Sequence, residues 1–456
     1  MKKKVNVYVI LMVAAFFIGS LFPFAYSGVD SGLEQLKVMV DVMDKIQDSY
    51  VEETTAKQLV DGALEGMVGS LDEFSEYISG DSMKRMQEET KGEFGGIGLR
   101  LTTSREGVLS VVSPMLNSPS YKAGVEPGDI ILDVDGKKVA DIGTEKAVAA
   151  LRGQVGSKVK FTVERKDPKT GKTIKKTFNL KRSRIIPEVV FSKMLDKEIG
   201  YIFVADFSGH TMETFNKAMQ DLTKKGMKAL VLDLRFNPGG LLDASVDMVK
   251  LFIGENKLIV YTKGRKEEYF KEYKSNAKAQ YPDIPIVLLV NEGSASGSEI
   301  VAGALQDYGR AVLIGNRTFG KGSVQQVIML PGDNGLRITV AKYYTPLGRM
   351  IHRNFKEKTN HGGIVPDMVI PFDLSTARRI TYNTTNLVYS PSKKTAEPES
   401  KEKTQDIQLD RALEVLKARN VLANLKPQAA TQAAAQTANN TTDTKATKTN
   451  KAKGGK

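Results

Sequence analysis

Three features of the sequence predict a multidomain α/β (α+β) protein. Apolar runs alternate with helical patterns in one stretch, short β patterns broken by turn residues fill another, and 456 residues exceed one typical domain. The alternation runs through residues 184–375 and defines a core domain of 184–390. Its runs "ALVLDLR", "PIVLLVN" and "RAVLIG" are of the kind buried on both faces of a sheet. Between and beside them, "LLDASVDMVKLFIG" and "SEIVAGALQDYG" read as helices, which implies layers of helix and sheet. Residues 91–183 form a small β-rich module: "FGGIGLRL", "GVLSVVS", "DIILDVDG", "KVKFTVERK" and "IKKTFNLKR" are strand-like and separated by Gly, Pro and Asp turns, with one short helix at "TEKAVAALRG". Residues 30–90 are a helical section, in which Leu36, Val40, Met43, Ile46 and Tyr50 recur at steps of three or four. Residues 391–456 regain one helix at "LDRALEVLKAR" and end in an Ala/Thr/Gln/Asn/Lys tail that cannot bury a core. The terminal helical sections are candidates for a homodimer contact.

The absence of cysteine excludes disulfides, thiolate catalysis and cysteine-ligated metals. A net charge of +13 raises nucleic acid and anionic membrane surfaces as partners. Part of that excess sits in the tail "TKATKTNKAKGGK", and no basic patch is interleaved with aromatic residues, so nucleic acid is not expected as a partner. Lys2, Lys3 and Lys4 precede an uncharged stretch that runs to Val29. Such a segment is an export signal or, near the ~20 residues that span a bilayer, a retained anchor. Residues 1–29 therefore place the rest of the chain outside the cytoplasm, in the periplasm or cell envelope.

Chemistry concentrates where "IPIVLLVN" meets "SEIVAGALQDYG", with Ser294, Ser296 and Ser298 at the corner. A serine there meets the unpaired N–H groups and positive end of a helix, which suit an oxyanion. The same position suits a capping box, with Ser296 as N-cap and Glu299 reaching back. The G-x-S-x-G elbow is absent, because Ala295 occupies its centre. For a base, His210, His352 and His361 lack an acidic orienter in a recognisable motif. Lys321, in "GNRTFGKGSVQQV", is the stronger candidate. Its alternative is an exposed loop lysine, since a basic role requires burial or neighbours to bring its pKa from ~10.4 towards ~7–8. "GNRTFGK" also matches seven positions of a P-loop, but Gly322 replaces the magnesium-binding hydroxyl and a strand-like run replaces the helix.

With those residues in place, the chain resembles the C-terminal processing peptidases, serine peptidases with a Ser-Lys dyad and a PDZ domain. "GSASGSE", "GNRTFGKGSVQ", "DLRFNPGG", "YYTPLGRMI" and "GIVPDMVI" occur in that family's order. The resemblance implies Ser296 as nucleophile, Lys321 as general base and Gln325 as the residue that orients the lysine. It implies Gly239, Gly240 and Gly297 as backbone contributors to an oxyanion hole, although family members commonly carry alanine where Gly297 stands. It further implies a layered core of the crotonase and Clp-protease type, with an inserted PDZ domain and no cofactor or metal. Gln325 meets Lys321 readily if residues 321–325 turn; a fully extended strand would hold them ~13 Å apart.

On this resemblance the β module is the PDZ domain, and "FGGIGL" is its carboxylate-binding loop. Gly95, Gly96, Ile97, Gly98 and Leu99 would cap the apolar C-terminus of a protein or peptide substrate, whose chain adds to the sheet edge. Arg152, in "LRGQVG", is a candidate gating contact between domains. Two rival readings are a catalytically silent, membrane-anchored PDZ scaffold and a CoA-binding relative on the same core fold.

Overall fold

The computed structural model describes residues 27–424 apart from 105, 168–169, 355–361, 374, 377–378 and 381–404. The lysines and apolar stretch up to Tyr26, His361 and the polar tail lie outside the described residues. Among the described residues no helix is long and apolar enough to cross a membrane.

The chain divides into two compact units, the first made of the N-terminal residues to Tyr77 with Leu336–Ile338, the second of the rest. In the first, helix α1 (Ser27–Ser49) is followed by α2 (Ala56–Gly69). Thr55 caps α2 in a reciprocal box: its hydroxyl accepts from the Gln58 amide, and the Gln58 side chain accepts from the Thr55 amide. Leu33, Leu36, Val38, Val40 and Val42 of α1 are exposed.

The second unit opens with α3 (Gly80–Lys91) and then the β module. Strand β1 (Phe94–Gly96) leads in, and β2 (Leu99–Thr103), β3 (Leu109–Pro114) and β4 (Ile130–Val134) follow. Helix α4 (Thr144–Leu151) precedes the long antiparallel pair β5 (Lys158–Lys166) and β6 (Thr173–Lys181). Strand β7 (Ser183–Ile185) pairs with β1 and closes the module at its base. Alternation along β5 sends Val159, Phe161 and Val163 inward against Ile131, Leu151 and Phe178. In the "EPGD" turn, Asp129 accepts the Glu126 amide and a forked pair of bonds from Arg165 at 2.6 and 2.7 Å.

The core sheet runs in the order β8 (Val190–Met194), β9 (Ile199–Val204), β10 (Ala229–Asp233), β13 (Ile286–Val290), β14 (Ala311–Gly315) and β17 (Met368–Val369). Only β8 is antiparallel to its neighbour. Between β13 and β14 lies α7 (Gly297–Asp307). The "ALVLD" and "IVLLV" strands are buried throughout, as their unbroken apolar runs require. Leu230, Leu232, Leu288 and Val290 face α5 (Thr211–Lys224), α6 (Leu242–Lys250) and α7, whereas Val231, Val287 and Leu289 face α8 (Ile407–Asn424) through Ala412 and Leu416. A second sheet holds β11 (Leu258–Gly264), β12 (Lys271–Lys274), β15 (Ser323–Met329) and β16 (Gly335–Tyr344).

Candidate active site

Two of the three serines spend their hydroxyls on the fold. Ser294 Oγ donates to the Leu234 carbonyl at 2.8 Å and accepts the Asn291 amide at 2.9 Å. Ser298 Oγ donates to the Asn237 carbonyl at 2.9 Å. Both are fully buried. Ser296 differs: it is half-buried and sits at φ 51°, ψ −111°. A non-glycine residue held there stores of order 1–3 kcal/mol, a cost that surrounding contacts must offset. The elbow motif is missing from the sequence, yet its strained strand-to-helix corner occurs at this serine. Ser296 is also the N-cap of α7, and its amide donates to Glu299 Oε2 at 2.9 Å.

Glu299 does far more than cap the helix. Oε2 accepts from the amides of both Ser296 and Lys321, at 2.9 and 2.8 Å. Oε1 accepts from the Thr318 hydroxyl and the Gly320 amide, at 2.5 and 2.7 Å. A carboxylate has about four acceptor positions, and all four are taken. The side chain is wholly buried, and desolvation pushes its pKa up to about 7 against the opposing pull of those four donors. The Phe319 amide adds a further tie, donating to the Ser294 carbonyl at 3.0 Å. The sequence offered one signal for this role. "EIVAGAL" is apolar or small on every side of α7, so an acid at its start has no face to turn to water.

The "NPGG" loop packs against the same corner. A Cβ on Gly239 would lie 2.7 Å from Ser296 Cβ and 2.8 Å from the Gly297 nitrogen, and its φ is +98°. Only glycine fits so close an approach. The Gly239 amide donates to Asn237 Oδ1 at 2.8 Å. Its carbonyl accepts the Phe207 amide, and Gly240 bridges Phe207. Asn237, which sequence reasoning passed over, also donates to the Val204 carbonyl and accepts the Ala295 amide on its own carbonyl.

Lys321 is half-buried, two residues before β15 begins. Gln325 lies within that strand, not in a turn, and its amide nitrogen donates to Ser323 Oγ at 2.7 Å and Thr339 Oγ1 at 3.5 Å. His210 stands at the N-terminus of α5, where Nε2 lies 3.4 Å from Glu93 and Nδ1 3.9 Å from Glu213.

The loop of the β module borders a cavity of about 270 Å³ lined by Phe94, Ile97, Gly98, Leu99, Leu101 and Arg152, among others. Ile97 is a core residue, 2% exposed, and its carbonyl accepts from Ser120. Gly98 turns at φ +75° with Ser118 packed where a side chain would point. The Arg152 guanidinium lies 4.5 Å above the Phe94 ring.

A strained serine at a helix start is thus tied through one carboxylate to a lysine loop and backed by a glycine turn. Comparison with known proteins gives the class, a serine-type peptidase. The chain matches the family model for peptidase family S41 over residues 198–370, a PDZ domain over 110–165 and the activating protease CtpB N-terminal domain over 25–82. It is 37% identical over 342 residues to a carboxy-terminal-processing protease of Bartonella bacilliformis, covering 74% of this chain and 75% of that one. It is 35% identical over 364 residues to the carboxy-terminal processing protease CtpA of Bacillus subtilis, covering 77% and 76%. Among solved structures it is similar to a photosystem II D1 C-terminal processing protease, at 27% identity and a TM-score of 0.43, covering 72% of this chain and 86% of that one. The chain therefore belongs to the carboxy-terminal processing proteases of peptidase family S41, with an N-terminal helical segment and a PDZ domain.

Proposed function

We propose that this chain is an exported endopeptidase that takes up protein C-terminal tails at its PDZ loop and cuts peptide bonds with Ser296 as nucleophile and Lys321 as general base. One observation carries the reading. Ser296 and Lys321, 25 residues apart in sequence, both donate their amides to the single atom Oε2 of Glu299. Two residues whose backbones meet at one oxygen lie within side-chain reach of each other.

In the proposed reaction, the neutral Lys321 amine takes the Ser296 hydroxyl proton while Oγ attacks the scissile carbonyl carbon. The amides of Gly297 and of the Gly239–Gly240 turn hold the oxyanion; because the Gly239 N–H already donates to Asn237, Gly240 is the favoured donor of that pair. The lysine ammonium then protonates the leaving amine, and water, deprotonated by the same lysine, releases the acyl group. Gln325, bonded to Ser323 and Thr339, steadies the strand that follows the lysine. At the PDZ loop, the Ile97 and Gly98 carbonyls are taken by Ser120 and by Met115. The loop's N–H groups are then the natural partners of a terminal carboxylate, with Leu99 and Phe94 beside an apolar last residue. The lysines and apolar stretch at the start of the sequence support export, with the segment acting as signal or membrane anchor. The exposed apolar residues of α1 favour burial against a second copy of the chain.

Cleavage of an apolar-tailed peptide by Ser296→Ala and Lys321→Ala tests the dyad. Both variants are expected to lose turnover while still binding the peptide. Full turnover by either one would remove it from the mechanism.

A further inference from the structure

Arg235 stands at the base of the "NPGG" loop, 5% exposed, in an ionic cluster that the cleavage mechanism does not use. Its Nε and Nη2 donate to Asp233 at 3.0 and 2.6 Å. Its Nη1 and Nη2 donate to the two oxygens of Asp406 at 2.9 and 2.8 Å, and Nη1 also reaches Gln408 Oε1 at 3.1 Å. The Tyr201 hydroxyl donates to Asp233 at 2.8 Å. Asp406 Oδ1 in turn accepts the Leu409 amide and caps α8, and Gln408 Nε2 donates to the Ile370 carbonyl at 2.6 Å. The first turn of the C-terminal helix is thus locked onto one side chain of the loop behind Ser296.

The helix has apolar anchors besides these charges. Ala412 and Leu416 already bury α8 against Val231, Val287 and Leu289. A buried ion cluster is weak support for stability, because well-packed apolar residues of similar volume often hold a fold as well or better. What a guanidinium adds is direction, through donors in a rigid planar fork. Fixing Arg235 fixes the backbone on either side of it. That backbone touches the serine corner at three points: the Leu234 carbonyl takes Ser294 Oγ, the Phe236 amide donates to Asn291 Oδ1, and the Asn237 carbonyl takes both the Ala295 amide and Ser298 Oγ. These contacts bracket Ser296. Phe236 lies at φ 58°, so this segment is itself held under strain.

We propose that Asp406 and Gln408 of the C-terminal helix are positioning residues for peptide cleavage: they clamp Arg235 and, through it, the loop and turn that set Ser296 against its oxyanion donors. This rests on Ser296 being the nucleophile. Neither residue touches substrate. Their effect is on the geometry of attack, where a displacement of ~1 Å costs on the order of 100-fold in rate.

The test uses the full chain. Asp406→Ala is compared with a triple variant, Asp233→Leu, Arg235→Met and Asp406→Leu, which replaces the ions by apolar side chains. Readouts are kcat and KM on an apolar-tailed peptide, thermal midpoint, and the rate at which a fluorophosphonate modifies Ser296. Asp406→Ala is expected to lower kcat and the modification rate together by on the order of 100-fold, with KM little changed. The triple variant should keep a thermal midpoint near the wild type yet be equally slow, and Asp406→Glu should recover part of the rate. A folded triple variant with wild-type kcat would overturn the proposal, because packing alone would then suffice. So would a loss of rate that tracks only the unfolded fraction. If these variants do not fold, Gln408→Ala, which leaves the ion pairs in place, decides instead: a several-fold lower kcat at wild-type KM supports positioning, and an unchanged kcat removes it. Cleavage retained by Ser296→Ala would defeat the nucleophile assignment itself. An inert Ser296→Ala beside a fully active Asp406→Ala defeats only the positioning role.

Discussion

Around Ser296 many polar atoms are committed: four donors on Glu299, two serine hydroxyls on carbonyls, and Asn237 bonded on both ends of its amide. Around the PDZ loop the lining is half-buried Phe94, Leu99 and Leu101, with Arg152 stacked on an aromatic ring. The first region is over-determined, so the strained backbone of Ser296 persists. The second is a trough of half-buried apolar side chains beside a glycine-rich turn. On the proposed function, bond-making chemistry tolerates little displacement and tail recognition tolerates a good deal, and the two regions differ in that sense.

The contrast is broken most severely at Glu299. Glu299→Ala leaves three main-chain N–H groups and a buried hydroxyl without their acceptor. The expected cost is about 4 kcal/mol of stability, together with ~10³-fold or more in kcat. Urea denaturation and fluorophosphonate labelling measure the two separately, and tail-peptide affinity should be unchanged. A stable variant with normal labelling would mean that the corner holds its shape without its central acceptor.

How much of this was legible in the sequence depended on the kind of signal. "ALVLD" and "IVLLV" announced buried strands because an unbroken apolar run has few other homes. The pairing of Ser296 with Lys321 is suggested by motif order, and the fold brings their two amides to one oxygen of Glu299. The hub role of Glu299 was not, because its partners Thr318, Gly320 and Lys321 lie 19 to 22 residues away and are brought to it by the fold. The sequence did mark it as a helix-capping acid, and the structure has that bond as well. Gln325 depended on local geometry that spacing alone left open, and the strand that holds it begins at Ser323, two residues past Lys321. Asp406 is 171 residues from Arg235, beyond any local pattern.

A smaller break targets shape alone. Gly239→Ala puts a methyl group within 2.7 Å of Ser296 Cβ at a φ of +98°. The loop or the serine must shift, and kcat should fall about 100-fold with peptide binding at the PDZ domain intact. If labelling of Ser296 kept its wild-type rate, the turn would not be part of the oxyanion site.

pH sharpens the comparison because a buried acid answers to it. The Glu299 pKa is about 7 when folded, raised from 4.5. A raised carboxyl pKa means the folded state holds the proton more tightly, so this contribution to stability is full below about pH 4.5. It is lost as pH rises to about 7, by roughly 3 kcal/mol. The difference in unfolding free energy between the wild type and Glu299→Gln should therefore change across that window and be flat above it. A difference that stays constant from pH 4.5 to 8 would mean that Glu299 is ionised throughout. In that case the four donors outweigh burial.

The smallest effect belongs to Arg152, which borders both the groove beside the loop and a second cavity of about 150 Å³ that reaches Val189, Asp206 and Ser208 of the core. Its guanidinium above Phe94 is worth about 0.5–1 kcal/mol as a cation–π contact, so Arg152→Ala should weaken tail-peptide binding about 2- to 5-fold. If the residue also gates the enzyme, basal cleavage of a substrate without an apolar tail should rise by a similar factor, and stimulation by tail peptide should shrink. Ser208 is next to Phe207, whose main chain bonds Gly239 and Leu241, so on the proposed function such gating would run through this junction to the Gly239–Gly240 turn. Weaker binding with unaltered basal cleavage would confine Arg152 to the trough and leave the serine corner indifferent to it.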